Sequence, residues 1–570
     1  MPNRKLLPLT NPSAGLRSGA NSDGGSEVDS IAITLSYHEQ TKHQLHRYAR
    51  SLGYLDWATQ PNPFRTFMGA EPIELPIAAD GLHATYVDLF TPLKVPAQPL
   101  ELRSIAILLE LALGLSAWKE FKDNRWALRC NPSSGNLHPT EGYAILPALA
   151  GVKAGVYHYA SREHCLERRC FLRDDAAADL ACALPTDSFL VGLSSIHWRE
   201  AWKYGERAFR YCQHDVGHAI ATVRYAAAAL GWSAVLLDSL ADDDVAAMLG
   251  LDRVADFASV DPHDREHPDV LILVSRQPVS AETLSLPVET IRAGQWTGQA
   301  NQLSPSHVFW PVIDDAAKAT WKPAADRPKR GDSAPLPPLT SDGHTFAAAL
   351  IRQRRSCQAL DGQTAISSNT FYRMLDHLLP RPAVPPWDAL PWSPQLHAAI
   401  FVHRVTGLVP GLYLLERDQA IHDRLRGALK QTFLWDQPTD CPKHLRLYCL
   451  MRGDLRHTAK TVSCDQDIAS DGAFSLGMIA EFAKTIRANG AGWYRRLFWE
   501  AGVLGQVLYL EAEAAGVRST GIGCYFDDTF HELLGLHGDE FQDLYHFTVG
   551  GPIEDRRLLT LPPYSNLRRP

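Results

Sequence analysis

Apolar residues recur at helical spacing through Val216–Leu230 and again through Ala501–Ala514, which predicts one long helix in each half of the chain. Each helical run is followed by a glycine, Gly231 or Gly516, placed where a helix end takes a left-handed residue. Continuous apolar stretches at Tyr143–Leu146, Val270–Val274, Ala399–Val402 and Leu544–Val549 predict buried strands. The most apolar run, Ile105–Leu115, is short and interrupted by Glu110, so it reads as a buried amphipathic helix rather than a membrane span. Helices and strands alternate without a βαβ rhythm, which points to an α+β fold.

The two patterns are copies. At an offset of 285 residues Gly205–Leu251 aligns without a gap on Gly490–Leu536, with eleven identical positions. Four of these are glycines, Gly205/Gly490, Gly217/Gly502, Gly231/Gly516 and Gly250/Gly535, and Asp242-Asp243 meets Asp527-Asp528. Ala154-Gly-Val-Tyr157 matches Pro410-Gly-Leu-Tyr413 more weakly. Between the copies, Lys322–Gly343 carries Pro335, Pro337 and Pro338 and reads as an extended linker. The expected organisation is a Ser/Gly-rich tail over 1–30, a first domain over 31–295, a Pro-rich linker over 296–343 and a second domain over 344–570.

Bulk properties narrow the function. With 570 residues, 45% hydrophobic, 21% charged and a net charge of −8, the chain has the makeup of a globular protein of more than one domain. Lys and Arg form no long block, so neither nucleic acid nor an anionic membrane is the expected partner, and a small molecule is. The ten cysteines are dispersed without CxxC pairs, and no apolar leader segment opens the chain, so a reduced, cytoplasmic setting is expected. His214 and His218 lie one helical turn apart, but no third ligand accompanies them and no metal is expected.

Three short motifs carry candidate chemistry. Asn131-Pro-Ser-Ser-Gly-Asn-Leu-His-Pro139 is a polar turn, Arg354-Arg-Ser-Cys-Gln358 pairs two guanidinium groups with a hydroxyl, and Gly521-Ile-Gly-Cys524 lets backbone approach a ligand closely. Taken alone, these read as an ordinary turn, a solvated surface and a helix-to-loop connection. Together they resemble the PSSxN, RRS and flavin-facing loop motifs of the nitroreductase family, in that family's order over most of both halves. Trp202–Tyr211 is similar to the KYGERGYRY stretch of the SagB-type azoline dehydrogenases, a branch of the same superfamily.

The resemblance implies two fused nitroreductase-like domains forming an intrachain pseudo-dimer, with FMN held where the family's subunits meet. It places Arg354, Arg355, Arg556 and Arg557 at the FMN phosphate, where planar guanidinium forks match phosphate oxygens. It sets Ser356 at the pyrimidine edge, and Pro132, Ser133, Ser134 and Asn136 at the ring's polar rim. It brings Gly521, Gly523 and Cys524 to flavin N5, while Lys203 and Tyr204 become the candidate catalytic pair. Cys524 itself reads as packing, since no second cysteine lies near it in sequence.

The copies have diverged reciprocally. The second half has Trp392-Ser-Pro-Gln-Leu-His397 in place of PSSGNLH. The first half has Tyr86-Val-Asp-Leu-Phe90 in place of the arginine motif and Leu236-Leu-Asp-Ser239 in place of GIGC. One composite site is expected, with the other degenerate. The leading function is an FMN-dependent oxidoreductase acting on a small-molecule or modified-peptide substrate. An NAD(P)H-dependent nitro or quinone reductase and a non-catalytic flavin-binding or scaffold protein stay open, as does the choice between a monomer and a higher homo-oligomer.

Overall fold

The computed structural model describes residues 23–279, 284–325, 330–331, 335–340, 345–565 and 567. The chain enters through helix α1 (Asp23–Gln40), and the apolar run with Glu110 becomes α2 (Leu102–Ala112), buried as expected. Glu110 is tolerated there because its carboxylate accepts the N–H groups of Ala78 and Ala79, both at 3.0 Å.

The first half builds a sheet from β1 (Glu71–Glu74), β4 (Thr140–Leu146), β5 (Gly155–Ala160), β6 (Cys165–Phe171), β7 (Ser188–Ser195), β8 (Ser233–Leu236), β9 (His267–Ser275) and β10 (Gln295–Trp296). A separate hairpin, β2 (Leu115–Phe121) with β3 (Asn124–Arg129), stands beside it. Helices α3 (His197–Tyr204), α4 (Ala208–Ala229) and α5 (Asp242–Leu249) come from the same half, then α6 (Pro311–Ala319) and α7 (Ala347–Gln353) lead into the second. The second sheet comprises β11 (Leu396–Val402), β12 (Gly411–Glu416), β13 (Arg446–Arg452), β14 (Phe474–Glu481), β15 (Arg518–Ile522) and β16 (Phe541–Gly550), with α8 (Trp493–Ala514), α9 (Asp527–Leu534) and a last strand β17 (Leu559–Leu561).

The duplication is visible in the topology. The first sheet runs β6-β5-β4-β7-β9-β8 and the second β13-β12-β11-β14-β16-β15, the same order of six antiparallel strands. The fold is α+β, two copies of one unit fused into one body.

The repeated residues sit at the join. Helices α4 and α8 cross where Gly217 meets Gly502: a Cβ on Gly217 would lie 2.2 Å from the Trp499 carbonyl oxygen, and one on Gly502 2.2 Å from that of His214. Only glycine permits that approach of two helix backbones. Every residue of α4 is buried, so this helix has no solvent face. Gly231 and Gly516 take φ of 71° and 73°, the left-handed helix ends expected of them.

Two buried ion pairs repeat the symmetry. Arg210 on α4 reaches Asp527 at the start of α9 (2.9 Å), and its counterpart Arg495 on α8 reaches Asp242 at the start of α5 (2.5 Å). Each half therefore neutralises a carboxylate of the other. The termini are exchanged as well: β17 pairs with β2, and the backbone N–H of His43, just after α1, donates to Asp527.

Two boundaries differ from the sequence reading. Residues 23–30, read as part of a tail, are the first turns of α1; residues 1–22 lie outside the described residues. Much of the expected linker is folded: Pro311 opens α6, which buries Ile313 and Ala316, and the Lys322 ammonium donates to the Asp238 carbonyl at 2.7 Å. Proline composition misled here because proline is equally at home in the first turn of a helix. Residues 326–329, 332–334 and 341–344 of that segment lie outside the described residues.

Candidate functional site

A cavity of about 510 Å³ opens between the halves, within the usual range for a cofactor site. One wall is the polar turn after β3. The Asp215 carboxylate, on α4, accepts the Ser134 N–H at 3.0 and 3.2 Å and its hydroxyl at 3.0 Å. Ser133 Oγ accepts the His138 N–H at 2.8 Å, and the Asn136 side-chain amide donates to the Ala127 carbonyl at 2.9 Å. The turn's polar groups are thus spent largely on shaping the turn, as the ordinary-turn reading of the segment expects. Pro132, Ser133, Ser134 and Asn136 all line the cavity.

Asp215 has a counterpart in Glu500 on α8, which holds the matching turn by the N–H groups of Gln395 and Leu396 and is itself paired with Arg417. No salt-bridge partner is found for Asp215 among the described residues, and burial pushes its carboxyl up to about 7 despite the serine hydrogen bonds.

Lys203 and Tyr204, at the end of α3, lie against Gly135. A Cβ there would meet Tyr204 Oη at 2.6 Å and Lys203 Nζ at 3.1 Å, so the glycine leaves room for both. Tyr204 lines the cavity and packs edge-on against Tyr211 with ring centroids 4.6 Å apart. Burial, with Glu200 and Tyr211 beside it, holds its phenol well above the ordinary value, so it stays protonated.

The second half supplies the opposite wall. Ser356 bridges to Ser519 beside β15, its hydroxyl meets Tyr509 Oη at 2.7 Å, and Gly521 N–H donates to the same phenol at 3.2 Å. Side chains at Gly521 or Gly523 would collide with Tyr545 and Tyr211, so both glycines are required for the wall to close.

One end of the cavity is crowded with cations. Arg354, Arg355, Lys119 and Arg518 all line it. Arg354 donates to the carbonyls of Arg129 and Cys130, and Arg355 to that of Ser116, which fixes both guanidinium groups by first-half backbone. Burial, with Arg354 alongside, lowers Arg355 to about 10, still charged at neutral pH. Two carboxylates, Glu513 and Glu554, lie against Arg518, leaving the end positive.

Arg556 and Arg557 are not brought to the cavity. Both are exposed, and Arg557 pairs with Asp555 at 2.8 Å, so the two guanidinium groups are left in solvent while Glu554, Asp555 and Leu558 beside them line the cavity. Arg518 and Lys119 stand in the region expected of them. Arg518 immediately precedes the Ser-Thr-Gly stretch and was findable by that position, whereas Lys119 carried no sequence signal. His218 also lines the cavity and contacts Tyr545 Oη at 3.3 Å, while His214 meets the Leu544 carbonyl at 3.0 Å. Cys524 lines the cavity but is not isolated: Cys464 Sγ lies 2.7 Å from its sulfur.

On the symmetry-related side, the counterparts of several cavity residues are engaged by protein groups. Tyr86, standing near the lost arginine motif, is buried with its hydroxyl on Glu511 at 2.9 Å. Arg224 and Arg496, the counterparts of Tyr509 and Tyr211, are paired with Asp388 and Asp238 at 2.8 Å. Trp392 donates to Glu500 at 3.2 Å.

Comparison with known proteins agrees with this architecture. The model of the nitroreductase family matches residues 97–260. The putative nitroreductase MJ1384 of Methanocaldococcus jannaschii is 27% identical over 187 residues, 32% of this chain and 83% of that protein. The trifolitoxin-processing protein TfxB of Rhizobium leguminosarum bv. trifolii is 32% identical over 149 residues, 24% of this chain and 40% of that protein. A putative nitroreductase from Anabaena variabilis shares the fold, with a TM-score of 0.66 at 21% identity over 91% of this chain and 99% of its own. No helix among the described residues is long and apolar enough to cross a membrane.

Proposed function

We propose that this chain, whose residues 97–260 match the model of the nitroreductase family, holds one FMN between its halves and works as a two-electron oxidoreductase. The observation that carries the reading is a cavity walled by Ser134 and Asn136 from one half and by Arg355 and Gly521 from the other. The donor set fits the cofactor. Four cations at one end suit a phosphate dianion, and Arg354 Nε and Asn131 Oδ1, buried polar atoms of lining residues, have no hydrogen-bond partner among the described residues. Bound there, FMN would exchange hydride with a substrate at ring N5.

The protein's own part is to bind, orient and move a proton. Arg355 and Arg518 anchor the phosphate end. Gly521 and Gly523 let the backbone of the β15 edge and its following loop approach the ring. Tyr204, held as a neutral phenol, donates a hydrogen bond or proton to a substrate lying over the ring, and Lys203 beside it serves as the base for a carbon-bound proton only in its neutral amine form. The likeness to TfxB and the Lys203-Tyr204-Gly205-Glu206-Arg207 stretch favour the SagB-type reading, in which the substrate is an azoline on a modified peptide. The likeness to MJ1384 favours an NAD(P)H-linked nitro or quinone reductase instead.

Anaerobic half-reactions separate the two. Bleaching of the bound flavin by an azoline-bearing peptide and indifference to NADPH are expected for the first reading; rapid bleaching by NADPH contradicts it and supports the second. Tyr204→Phe is expected to keep its flavin while turnover falls about a hundredfold, the scale of a lost acid–base group. Unchanged turnover in that variant would remove Tyr204 from the reaction.

A further inference from the structure

The cavity wall contains two sulfur atoms that the flavin reading leaves unused. Cys524 follows β15 and lines the cavity, while Cys464 sits just beyond the helix Arg456–Val462, in a turn where it and Asp465 both take φ of 55°. Neither is in a disulfide, both are half-buried, and their sulfurs are 2.7 Å apart. Gln466, which also lines the cavity, donates to the Ser463 carbonyl at 2.8 Å and to that of Cys524 at 2.9 Å. That amide fastens the turn carrying one cysteine to the loop carrying the other.

The surroundings make the two sulfurs unequal. Ala49 N–H donates to His43 Nδ1 at 2.9 Å, so the neutral ring carries its proton on the other nitrogen, and the ring lies close enough to Cys524 to favour its thiolate. The Cys464 hydrogen bond, helped by His43 and Arg207, outweighs burial and brings the Cys524 thiol down to about 5, while Cys464 is pushed up. A thiolate facing an accessible cavity beside a protonated thiol is the arrangement in which one sulfur attacks and the other resolves.

We propose that Cys464 and Cys524 form a dithiol–disulfide centre in the cavity wall, with Cys524 attacking small-molecule disulfides and Cys464 resolving the adduct. The Cys524 thiolate forms a bond to one sulfur of an incoming disulfide, whose other sulfur leaves as a thiolate and takes up a proton. Cys464 then loses its proton and attacks the mixed disulfide at Cys524, expelling the second small thiol. Two protein thiols become one protein disulfide, and one small disulfide becomes two thiols. The new bond would tie the 463–466 turn to the loop after β15, so the oxidation state of this pair sets the rigidity of one cavity wall.

The test uses the full chain as purified and oxidised glutathione as the probe, followed by acid quench, alkylation and peptide mapping. The expected product is a cross-linked peptide pair containing Cys464 and Cys524, reversed by dithiothreitol, with a rise in Tm from the closed loop. Cys464→Ser should instead accumulate glutathione on Cys524 as a stable adduct, and Cys524→Ser should take up none at Cys464. The proposal is overturned if Cys464 and Cys524 both remain alkylatable after exposed Cys182 has been glutathionylated. Equal adduct formation at Cys464 in Cys524→Ser would overturn the assignment of the attacking sulfur. None of these readouts depends on flavin, so the centre and the flavin site are judged separately.

Discussion

Asp527→Ala should destabilise the protein by about 3–5 kcal/mol, the cost of stripping a buried ion pair of one partner. Asp527 is fully buried and accepts Arg210 at 2.9 Å and Arg207 at 3.1 Å, together with the His43 N–H at 3.0 Å. Burial raises its carboxyl, but the two guanidinium groups outweigh that and hold it below the ordinary range. Removing it leaves two buried arginines without an anion and loosens the segment after α1, which closes over the second half. Thermal unfolding followed by circular dichroism measures the loss. The exposed Asp243→Ala is the control and should stay within about 0.5 kcal/mol of the parent. A comparable small effect at both positions would mean that the exchanged ion pairs do not hold the halves together.

Arg355→Ala should weaken FMN binding by about 1.5–3 kcal/mol, the range of a charge-assisted hydrogen bond, or roughly tenfold to a hundredfold in Kd. The Arg355 guanidinium is half-buried at the cationic end and held by the carbonyls of Arg352, Arg354 and Ser116, so little conformational freedom is lost when it meets a phosphate. Arg556→Ala is the matched control: it removes an equal charge from an exposed side chain that does not line the cavity, and should leave affinity unchanged. Fluorescence titration of the two variants reads the difference. Equal losses would mean that long-range charge, not the arginine fork, holds the anion. Asn136→Ala should cost less, about 0.5–1.5 kcal/mol, and Gln395→Ala on the degenerate side nothing.

The duplication was legible because four glycines in register are hard to replace where they cap helices or let helices touch, and Gly217 and Gly502 do the latter. The reciprocal loss of motifs was legible too, since Arg354-Arg355 and Ser133-Ser134 survive in opposite copies, and the structure brings both to one cavity. The early part of each central helix was not. Periodicity started α4 at Val216, whereas the helix begins at Ala208, because Arg210, Gln213 and His214 are polar residues buried by partners in the other half. A sequence window cannot supply those partners.

The same limit hid the electrostatics of the site. Asp215 carries no motif signal in the sequence, and only the return of the Ser134 turn onto α4 gives it a role. Cys524 looked solitary because its neighbour Cys464 belongs to another segment, brought close by the packing of the Arg456–Val462 helix. Arg556 and Arg557 were assigned from charge and position near the C-terminus, which cannot tell that both side chains stay exposed while their neighbours Asp555 and Leu558 line the cavity.

The central claim, one flavin held jointly by both halves, is tested most directly by flavin stoichiometry in variants that each alter a single half. Protein is saturated with FMN, freed of excess, and its flavin extracted and counted against chain concentration. The parent should carry close to one FMN per chain. Gly135→Val, which places a branched side chain at φ of 59° against Tyr204 in the first half, and Arg355→Ala in the second should each deplete that same single flavin. A parent ratio of two, or variants that each keep half of the parent's flavin, would mean that every half carries a pocket of its own and would contradict the composite site.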